Sequence, residues 1–385
     1  MTTSAAPATR RRIPRLVLVA WAVAVAAVAV LVVAVWHYLG SGATGHVMHG
    51  MSMGADHDHS ADALTRAGSR GPLGPLTDHL FTSWQLDAVA LAVLVVAAAV
   101  YLTGVGLAGV RSPGEPWPVR RTISFLAGLA VCVIATCGSI AVYDQVLFTA
   151  HMAGHLALVM VAPALIMWGR PLRLLLAASP PDRRARLERV LHGRILSVMF
   201  SPPVALAVYA AVIVGSHLTG LMDTIMRNTW AGQVEHLVYV LAGCWFFALV
   251  VGDEPIRWRL ASPARWLLLA IAMAVDTFTG IVLMQGTTAV ALAPSTLDVS
   301  ALSDTRTGGA IMWFGGDAIM AAIMIGLVIG WLRRVETAPV EQGWLEQARR
   351  STFTTHTGSE ESADPLDDDD GARDAYNRWL ETLNR

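Results

Sequence analysis

The stretch His151–Leu176, HMAGHLALVMVAPALIMWGRPLRLLL, decides the fold of this chain. An apolar run of membrane-spanning length separates two histidines at its beginning from two arginines at its end. A hydrocarbon core of about 30 Å needs roughly 20 mostly apolar residues to cross it. The stretch therefore predicts a transmembrane helix with imidazoles near one membrane face and guanidinium groups near the other.

Apolar runs of the same length recur on both sides of this stretch. The chain has 385 residues, of which 54% are hydrophobic and 15% charged, whereas soluble proteins carry about 25% charged residues. The pattern predicts an all-α, polytopic membrane helical bundle with about eight transmembrane helices. The predicted spans are 15–38, 86–109, 122–143, 147–168, 196–216, 231–251, 264–285 and 308–332.

These spans divide the chain into four regions. Residues 1–38 form a cytoplasmic N-terminus and a first transmembrane helix, which is too long for an ordinary signal peptide and is interpreted as a retained anchor. Residues 39–85 form a His/Met-rich loop, 86–335 a seven-helix membrane core, and 336–385 a polar cytoplasmic tail. Within the core, 169–195 is predicted to form an interfacial amphipathic helix, with Pro180-Pro181-Asp182 opening its second half and Gly193 closing it.

The arginines predict the orientation of the bundle. If the N-terminus is cytoplasmic, 24 of the basic residues fall in cytoplasmic segments and four fall outside, at Arg66, Arg70, Arg227 and Arg306. The positive-inside rule therefore predicts a multi-pass protein of the cell membrane with both termini cytoplasmic. The net charge of −1 gives no indication of a nucleic-acid partner, and the three cysteines form no CxxC pair.

The histidines of the core are predicted to lie in one layer near the extracytoplasmic face. His151 and His155, four residues apart, share a helix face. His217 ends the next span and His236 follows Glu235 in the second turn of the span after that. Ionisable groups in a membrane usually mark function, so these histidines are candidate metal ligands, as is Asp317 of the last span. For Asp276 and Asp317, a structural role in bridging helices stays open.

The neighbouring residue types favour copper. Imidazole suits transition metals, and thioether ligands favour Cu(I). Methionines lie in or near the histidine layer, with Met152 as a candidate ligand and the others at Met222, Met226, Met284 and Met312. Zinc remains an alternative, as does haem held by paired histidines on facing helices.

The first extracytoplasmic loop carries a second candidate metal site. From His46 it reads HVMHGMSMGADHDH. Short His-rich tracts are typical of metal binding, and mixed imidazole and thioether ligands serve both copper oxidation states. The candidate ligands are His46, Met48, His49, Met51, Met53, His57 and His59.

Three motifs of the core resemble the CtaG-type cytochrome c oxidase assembly proteins. They are the His151–Leu176 stretch, Glu235-His236-Leu237 with the aromatic, glycine-containing helix after it, and Gly308-Gly309-Ala310-Ile311-Met312-Trp313 followed by Gly316-Asp317. The family often has DxQxxGG before the last span, whereas this chain reads Asp304-Thr305-Arg306-Thr307-Gly308-Gly309. The resemblance covers roughly 80–335 and leaves the His/Met loop and first span outside.

The resemblance implies a copper chaperone of respiratory-chain biogenesis, which delivers copper to the binuclear centre of a haem–copper oxidase. Its expected partners are the oxidase catalytic subunit and membrane lipid. No P-loop or dinucleotide fingerprint is visible, so no enzyme activity is expected. Three alternatives stay open: a copper transport or resistance protein, a haem-binding electron carrier, and a scaffold whose histidines bind nothing.

Overall fold

The computed structural model describes residues 84–112, 114–251, 254–290 and 299–337, together with four isolated positions near the C-terminus. Seven membrane-length or near-membrane-length helices form its core. They are α1 (Ala88–Arg111), α2 (Val119–Tyr143), α3 (Phe148–Ala177), α4 (Pro202–His217), α5 (Thr229–Val250), α6 (Ser262–Gln285) and α7 (Ala301–Leu332). The described part of the chain contains no strand, so the predicted all-α class is confirmed.

Six of these helices are long and apolar enough to cross a membrane, and α4 is a shorter apolar helix of 16 residues. The chain is therefore a helical membrane protein, as predicted. The seven helices correspond to the seven predicted core spans. The predicted first span at 15–38, the His/Met loop and most of the polar tail lie outside the described residues.

The span predicted at 196–216 differs from the observed helix. A separate short helix, Arg194–Met199, ends at Phe200, and α4 begins only at Pro202. Proline favours the first turn of a helix, where its missing N–H costs no hydrogen bond, so Pro202-Pro203 starts a new helix here. The range 169–195, predicted as one interfacial helix, is divided into Pro171–Ala177, Pro181–Leu191 and the start of Arg194–Met199. Its second half, Pro181–Leu191, begins at Pro180-Pro181 and ends before Gly193, as predicted, and has no buried residue.

The α3 helix packs against α2, α5 and α7. Small residues bring the backbones close together, as is common in membrane bundles. Gly243 of α5 faces the backbone of α3, where an added Cβ would collide with the Val159 carbonyl oxygen and Pro163. Gly280 of α6 and Gly309 of α7 face each other in the same way, with 2.8 Å between an added Cβ on Gly280 and the Gly309 oxygen.

Three of the spans are not continuous α-helices. The α2 helix breaks at Gly138 and resumes as Ser139–Tyr143, after which Asp144 begins the turn into α3. The α3 helix contains a π-helical segment at Ala157–Val161, and α7 contains one at Ile311–Gly315. Segments of this kind often accompany functional sites, because they re-aim the side chains that precede and follow them.

The end of α3 that carries Arg170 is fixed by a buried carboxylate. Arg170 adopts a left-handed backbone conformation, with φ of 54°, and starts the short helix Pro171–Ala177. Glu254, in the connection after α5, accepts a hydrogen bond of 3.0 Å from the Arg173 backbone N–H. Burial raises the pKa of the Glu254 carboxyl to about 7, against the lowering effect of this hydrogen bond and of Arg170.

The chain divides into two units, Met1–Ile325 and Gly326–Arg385. The histidines of the core belong to the first unit, and so does every contact described below. In the second unit, residues 326–337 continue the helix Gly316–Thr337.

Candidate metal centre

Three helices bring the predicted core histidines together at one end of the bundle, called here the histidine end. His151 and His155 come from the first two turns of α3, His217 from the last turn of α4, and His236 from the second turn of α5. His151, His155 and His217 are each at most 3% exposed. These three side chains, with Asp144, Glu235, His236 and Tyr239, are called the histidine cluster.

Asp144 orients two of the histidines. Its Oδ1 atom lies 2.9 Å from His151 Nδ1, and its Oδ2 atom lies 3.5 Å from His236 Nε2. Because an ionised carboxylate only accepts hydrogen bonds, His151 Nδ1 carries the proton in this pair. This arrangement turns His151 Nε2 toward Glu235, whose Oε1 atom lies 3.7 Å away.

His217 is oriented by its own helix. Its Nδ1 atom lies 2.8 Å from the Ile213 carbonyl oxygen and 2.8 Å from Ser216 Oγ. A carbonyl oxygen can only accept, so Nδ1–H donates to it and Nε2 keeps its lone pair. Metal-binding histidines typically show this pattern, in which one ring nitrogen bonds a carboxylate or carbonyl and the other is left for the metal.

The His155 ring lies between His217 and Tyr239. Its centroid is 4.6 Å from that of His217 and 4.5 Å from that of Tyr239, with both rings edge to face. The His151 and His217 centroids are 6.2 Å apart. The three imidazoles that were predicted from α3 and α4 are thus neighbours in space.

Glu235 completes one wall of the cluster. Its Oε1 atom accepts a hydrogen bond from the Tyr239 hydroxyl, which also lies 3.1 Å from Ser216 Oγ. Glu235 and Tyr239 are four residues apart and share a face of α5. The chain Glu235–Tyr239–Ser216 links α5 to α4, so it fixes the His217 side of the cluster relative to the His151 side.

Several buried atoms of the cluster have no hydrogen-bond partner. Buried polar atoms are nearly always paired, so this group of exceptions marks candidate donors and acceptors for a bound group. The atoms are His151 Nε2, His155 Nδ1 and Nε2, His217 Nε2, Glu235 Oε2 and His236 Nδ1. In the described ranges, no three His, Cys, Asp or Glu side chains are arranged as a metal-binding group.

Two other candidate ligands lie away from the cluster. Met152 is fully buried but faces α7, where its Cγ lies 3.1 Å from the position of an added Cβ on Gly308. Asp317 accepts a hydrogen bond of 3.0 Å from Thr277 of α6. Both remain predicted ligands, although the contacts described for them are with helix neighbours.

Asp276 lies deeper in the bundle than the cluster. It is fully buried and accepts a hydrogen bond of 3.0 Å from Tyr209 of α4. Tyr209 is two turns before His217, which corresponds to about 12 Å along the helix. The Tyr209–Asp276 hydrogen bond joins α4 to α6, and the Thr277–Asp317 hydrogen bond joins α6 to α7. Both contacts fit a structural role for Asp276 and Asp317 in bridging helices.

Two acidic residues that shape the cluster were not among the predicted ligands. Asp144 precedes His151 by seven residues and follows an apolar span, so by sequence it resembles an ordinary connector residue. Glu235 stood next to a predicted ligand. It is the single acidic residue of the predicted span 231–251, and an ionisable group within a span usually marks function, which is the signal that could have found it.

Asp304 of α7 positions the first turn of α3. Its two carboxylate oxygens accept from the backbone N–H groups of Phe148, at 2.6 Å, and Thr149, at 3.1 Å. It thereby satisfies donors that the start of a helix leaves unpaired. His151 lies in the turn that Asp304 caps. The predicted ligands of the His/Met loop, 46–59, lie outside the described residues.

Comparison with known proteins gives relatives in mycobacteria. The uncharacterized proteins Mb0105 of Mycobacterium bovis and MT0111 of Mycobacterium tuberculosis are each 28% identical to this chain over 326 residues. ML1998 of Mycobacterium leprae is 27% identical over 328 residues. The alignments cover 82% of this chain and 46% of each relative, so the chain spans about half the length of the curated relatives it matches. No solved structure matches.

A family model matches most of the membrane core. The matched residues are 99–334, and the family is described as the cytochrome c oxidase caa3 assembly factor. The match covers more than half of the chain and includes every member of the histidine cluster. The chain therefore belongs to the cytochrome c oxidase caa3 assembly factor (CtaG) family.

Proposed function

We propose that this protein is a membrane-embedded copper chaperone, which binds copper at the histidine cluster and transfers it to the binuclear centre of a haem–copper oxidase. Copper is the cargo of this reaction. Membership of an oxidase assembly family supports the oxidase as the recipient. The transfer proceeds by ligand exchange, in which one donor atom at a time leaves the cluster for the acceptor, and it requires no covalent catalysis.

The observation that carries the proposal is the orientation of His151 and His217. Each ring has its Nδ1 atom bonded, to Asp144 or to the Ile213 carbonyl, and each has a buried Nε2 atom with no hydrogen bond. His151 Nε2 faces the Glu235 carboxylate at 3.7 Å. A histidine with only a structural role in an apolar bundle would have little reason to keep one nitrogen paired and the other unpaired. His155, with both nitrogens unpaired, adds a third donor next to His217.

The charges around the cluster suit a cation. Asp144 and Glu235 place two carboxyl groups within a largely apolar bundle, where an uncompensated negative charge is costly. A bound copper ion adjacent to them compensates that charge. Imidazole nitrogens bind both copper and zinc. The proposed preference of this protein for Cu(I) therefore rests on the thioethers of the His/Met loop.

In this proposal the His/Met loop binds copper first and the histidine cluster binds it next. The arginine distribution supports an orientation in which the histidine end faces away from the cytoplasm. In that orientation the loop that carries His46–His59 collects copper outside the cell and passes it to the cluster. The copper centre of the recipient oxidase subunit receives it from the same side of the membrane.

The haem-carrier alternative is less well supported by the geometry. The His155 and His217 rings are in edge-to-face contact, with centroids 4.6 Å apart. Two histidines that share a haem iron hold the macrocycle between them, and rings in contact leave no room for it. Transport across the bilayer keeps one supporting feature, because the free thiols of Cys132 and Cys244 lie within the spans α2 and α5.

The test is the copper content of the oxidase in cells that express a variant of this protein in place of the natural one. In a His155→Ala/His217→Ala strain we expect oxidase that contains haem but is depleted of binuclear-centre copper, and we expect excess copper to restore it partly. A His192→Ala strain is the matched control, since His192 is exposed on the interfacial helix. Full copper loading in the double-variant strain would overturn the proposal.

A further inference from the structure

Four arginines lie together at the end of the bundle opposite the histidine end. Arg120 and Arg121 belong to the first turn of α2, and Arg170 and Arg173 lie near the end of α3. The Arg121 carbonyl oxygen lies 3.1 Å from the position of an added Cβ on Gly169, the residue before Arg170, so the two helix ends are in contact. We call these four residues the arginine cluster.

Aromatic side chains hold this junction of helices in place. The Tyr101 hydroxyl of α1 donates to the Gly169 carbonyl oxygen at 2.8 Å and accepts from the Trp117 indole N–H at 3.1 Å. The Arg121 guanidinium lies over the Trp117 ring, 4.8 Å from its centroid. A cation–π contact of this kind positions a guanidinium without neutralising its charge.

The described residues supply little negative charge to the arginine cluster. Within the described ranges, no carboxylate forms an ion pair with Arg120, Arg121 or Arg173. Glu254 is buried beside the cluster, but its Oε2 atom accepts from the Arg173 backbone N–H, and burial raises the pKa of its carboxyl to about 7. It is therefore only partly ionised near neutral pH. Like charges held close together repel one another, so the arrangement favours binding of an external anion.

The position of the arginine cluster indicates which anion it binds. Arg121 is the third residue of α2, a helix of membrane-spanning length, so the cluster lies at the level where the hydrocarbon core ends. Trp168, two residues before Arg170, is 52% exposed, and tryptophan is enriched at the level of the lipid headgroups. Basic pockets between transmembrane helices at the cytoplasmic side bind anionic headgroups.

We propose that the arginine cluster binds the phosphate of an anionic phospholipid, at the membrane face that the arginine distribution assigns to the cytoplasm. Arg120, Arg121 and Arg173 donate to the phosphate oxygens, because the planar guanidinium matches the geometry of a phosphate group. The lipid thereby ties the start of α2 to the end of α3. It stabilises the helix that carries His151 and His155 without contacting copper, so the proposal is independent of the proposed function.

The test is native mass spectrometry of the full-length protein with an equal mixture of dioleoyl-phosphatidylglycerol and dioleoyl-phosphatidylcholine. These lipids differ in headgroup charge but have the same acyl chains. We expect the natural protein to retain phosphatidylglycerol in preference. Arg121→Gln/Arg173→Gln should lower this preference about tenfold or more, because hydrogen bonds to a charged group are lost.

Two further double variants separate a built site from general surface charge. Arg184→Gln/Arg189→Gln removes the same charge from the helix Pro181–Leu191 and is the matched control, which should keep the natural preference. Arg121→Lys/Arg173→Lys keeps the charge but loses the paired N–H donors, so its preference should fall between those of the natural protein and the glutamine variant.

Three results of this experiment would overturn the proposal. Equal retention of the two lipids by the natural protein would show that no anionic headgroup is selected. Equal losses in the Arg121/Arg173 and Arg184/Arg189 glutamine variants would mean that only the general charge of this face attracts the lipid. Displacement of the lipid by an excess of inorganic phosphate would make the cluster a site for a soluble anion.

Thermal unfolding in lipid nanodiscs gives a second measurement that tolerates a loss of stability in the variant. We expect the natural protein to have a higher thermal midpoint in phosphatidylglycerol than in phosphatidylcholine, and Arg121→Gln/Arg173→Gln to have the same midpoint in both. A gain in phosphatidylglycerol equal to that of the natural protein would contradict the proposal, even if the variant is less stable in both lipids.

Discussion

Asp144 Oδ1 lies 2.9 Å from His151 Nδ1, so the turn between α2 and α3 holds the first imidazole of the histidine cluster in place. The break of α2 at Gly138 allows this contact, because the short helix Ser139–Tyr143 ends directly before Asp144. The carboxylate fixes the proton on Nδ1 and presents Nε2 to the interior of the cluster.

Replacement of this carboxylate should weaken copper binding without removing a copper ligand. In Asp144→Asn we expect the copper affinity to fall by about 10–100-fold, as is typical for loss of a residue that orients a metal-binding histidine. Competition with a Cu(I) chelator on purified protein measures the change. Asp182→Asn, in the exposed first turn of the interfacial helix, is the matched control. Equal affinity in the two variants would mean that Asp144 does not act on the metal.

Loss of Asp304 should destabilise the start of α3. Asp304→Ala leaves the backbone N–H groups of Phe148 and Thr149 without their acceptors. Removal of a helix cap costs about 1 kcal/mol or more, so we expect a lower thermal midpoint of unfolding in detergent. Asp304→Asn keeps one acceptor oxygen and should fall between the variant and the natural protein. A midpoint unchanged in Asp304→Ala would show that the cap contributes nothing.

Glu254 should make the stability of the protein depend on pH. Burial raises the pKa of its carboxyl from 4.5 to about 7. Between these values the unfolded chain releases a proton that the folded chain retains, so the free energy of unfolding falls as the pH rises through this window and levels off above it. The opposite behaviour is expected of a carboxylate whose pKa is lowered by folding.

Glu254→Gln removes this proton but keeps a side-chain oxygen for the Arg173 N–H. We therefore expect the thermal midpoint of the variant to change less than that of the natural protein from about pH 5 to about pH 7. Parallel midpoint curves for both proteins would show that Glu254 does not titrate in this range.

The membrane core was predictable from the sequence because hydrophobic length is a local property. Each run of roughly 20 apolar residues corresponds to a helix that satisfies its own backbone hydrogen bonds. The error at 196–216 is also local, since α4 starts at Pro202-Pro203 and the residues before it form a separate short helix.

The depth of the candidate site along the helices was predictable from the sequence, but its side-chain contacts were not. The spacing of His151 and His155 and their distance from the span ends placed them near His217 and His236. The role of Asp144 depends on the turn after Gly138, and that of Asp304 depends on packing between α3 and α7, 156 residues apart along the chain. Neither has a local sequence signature.

The most direct test of the central claim is the copper content of the purified protein without the loop ligands. In a variant that lacks residues 46–59, bound copper reports on the membrane core alone. We expect this protein to retain copper, and His151→Ala/His155→Ala in the same background to lose it, while His192→Ala retains it. Equal copper content in the double variant and its parent, or no copper in the parent, would contradict a copper site at the histidine cluster.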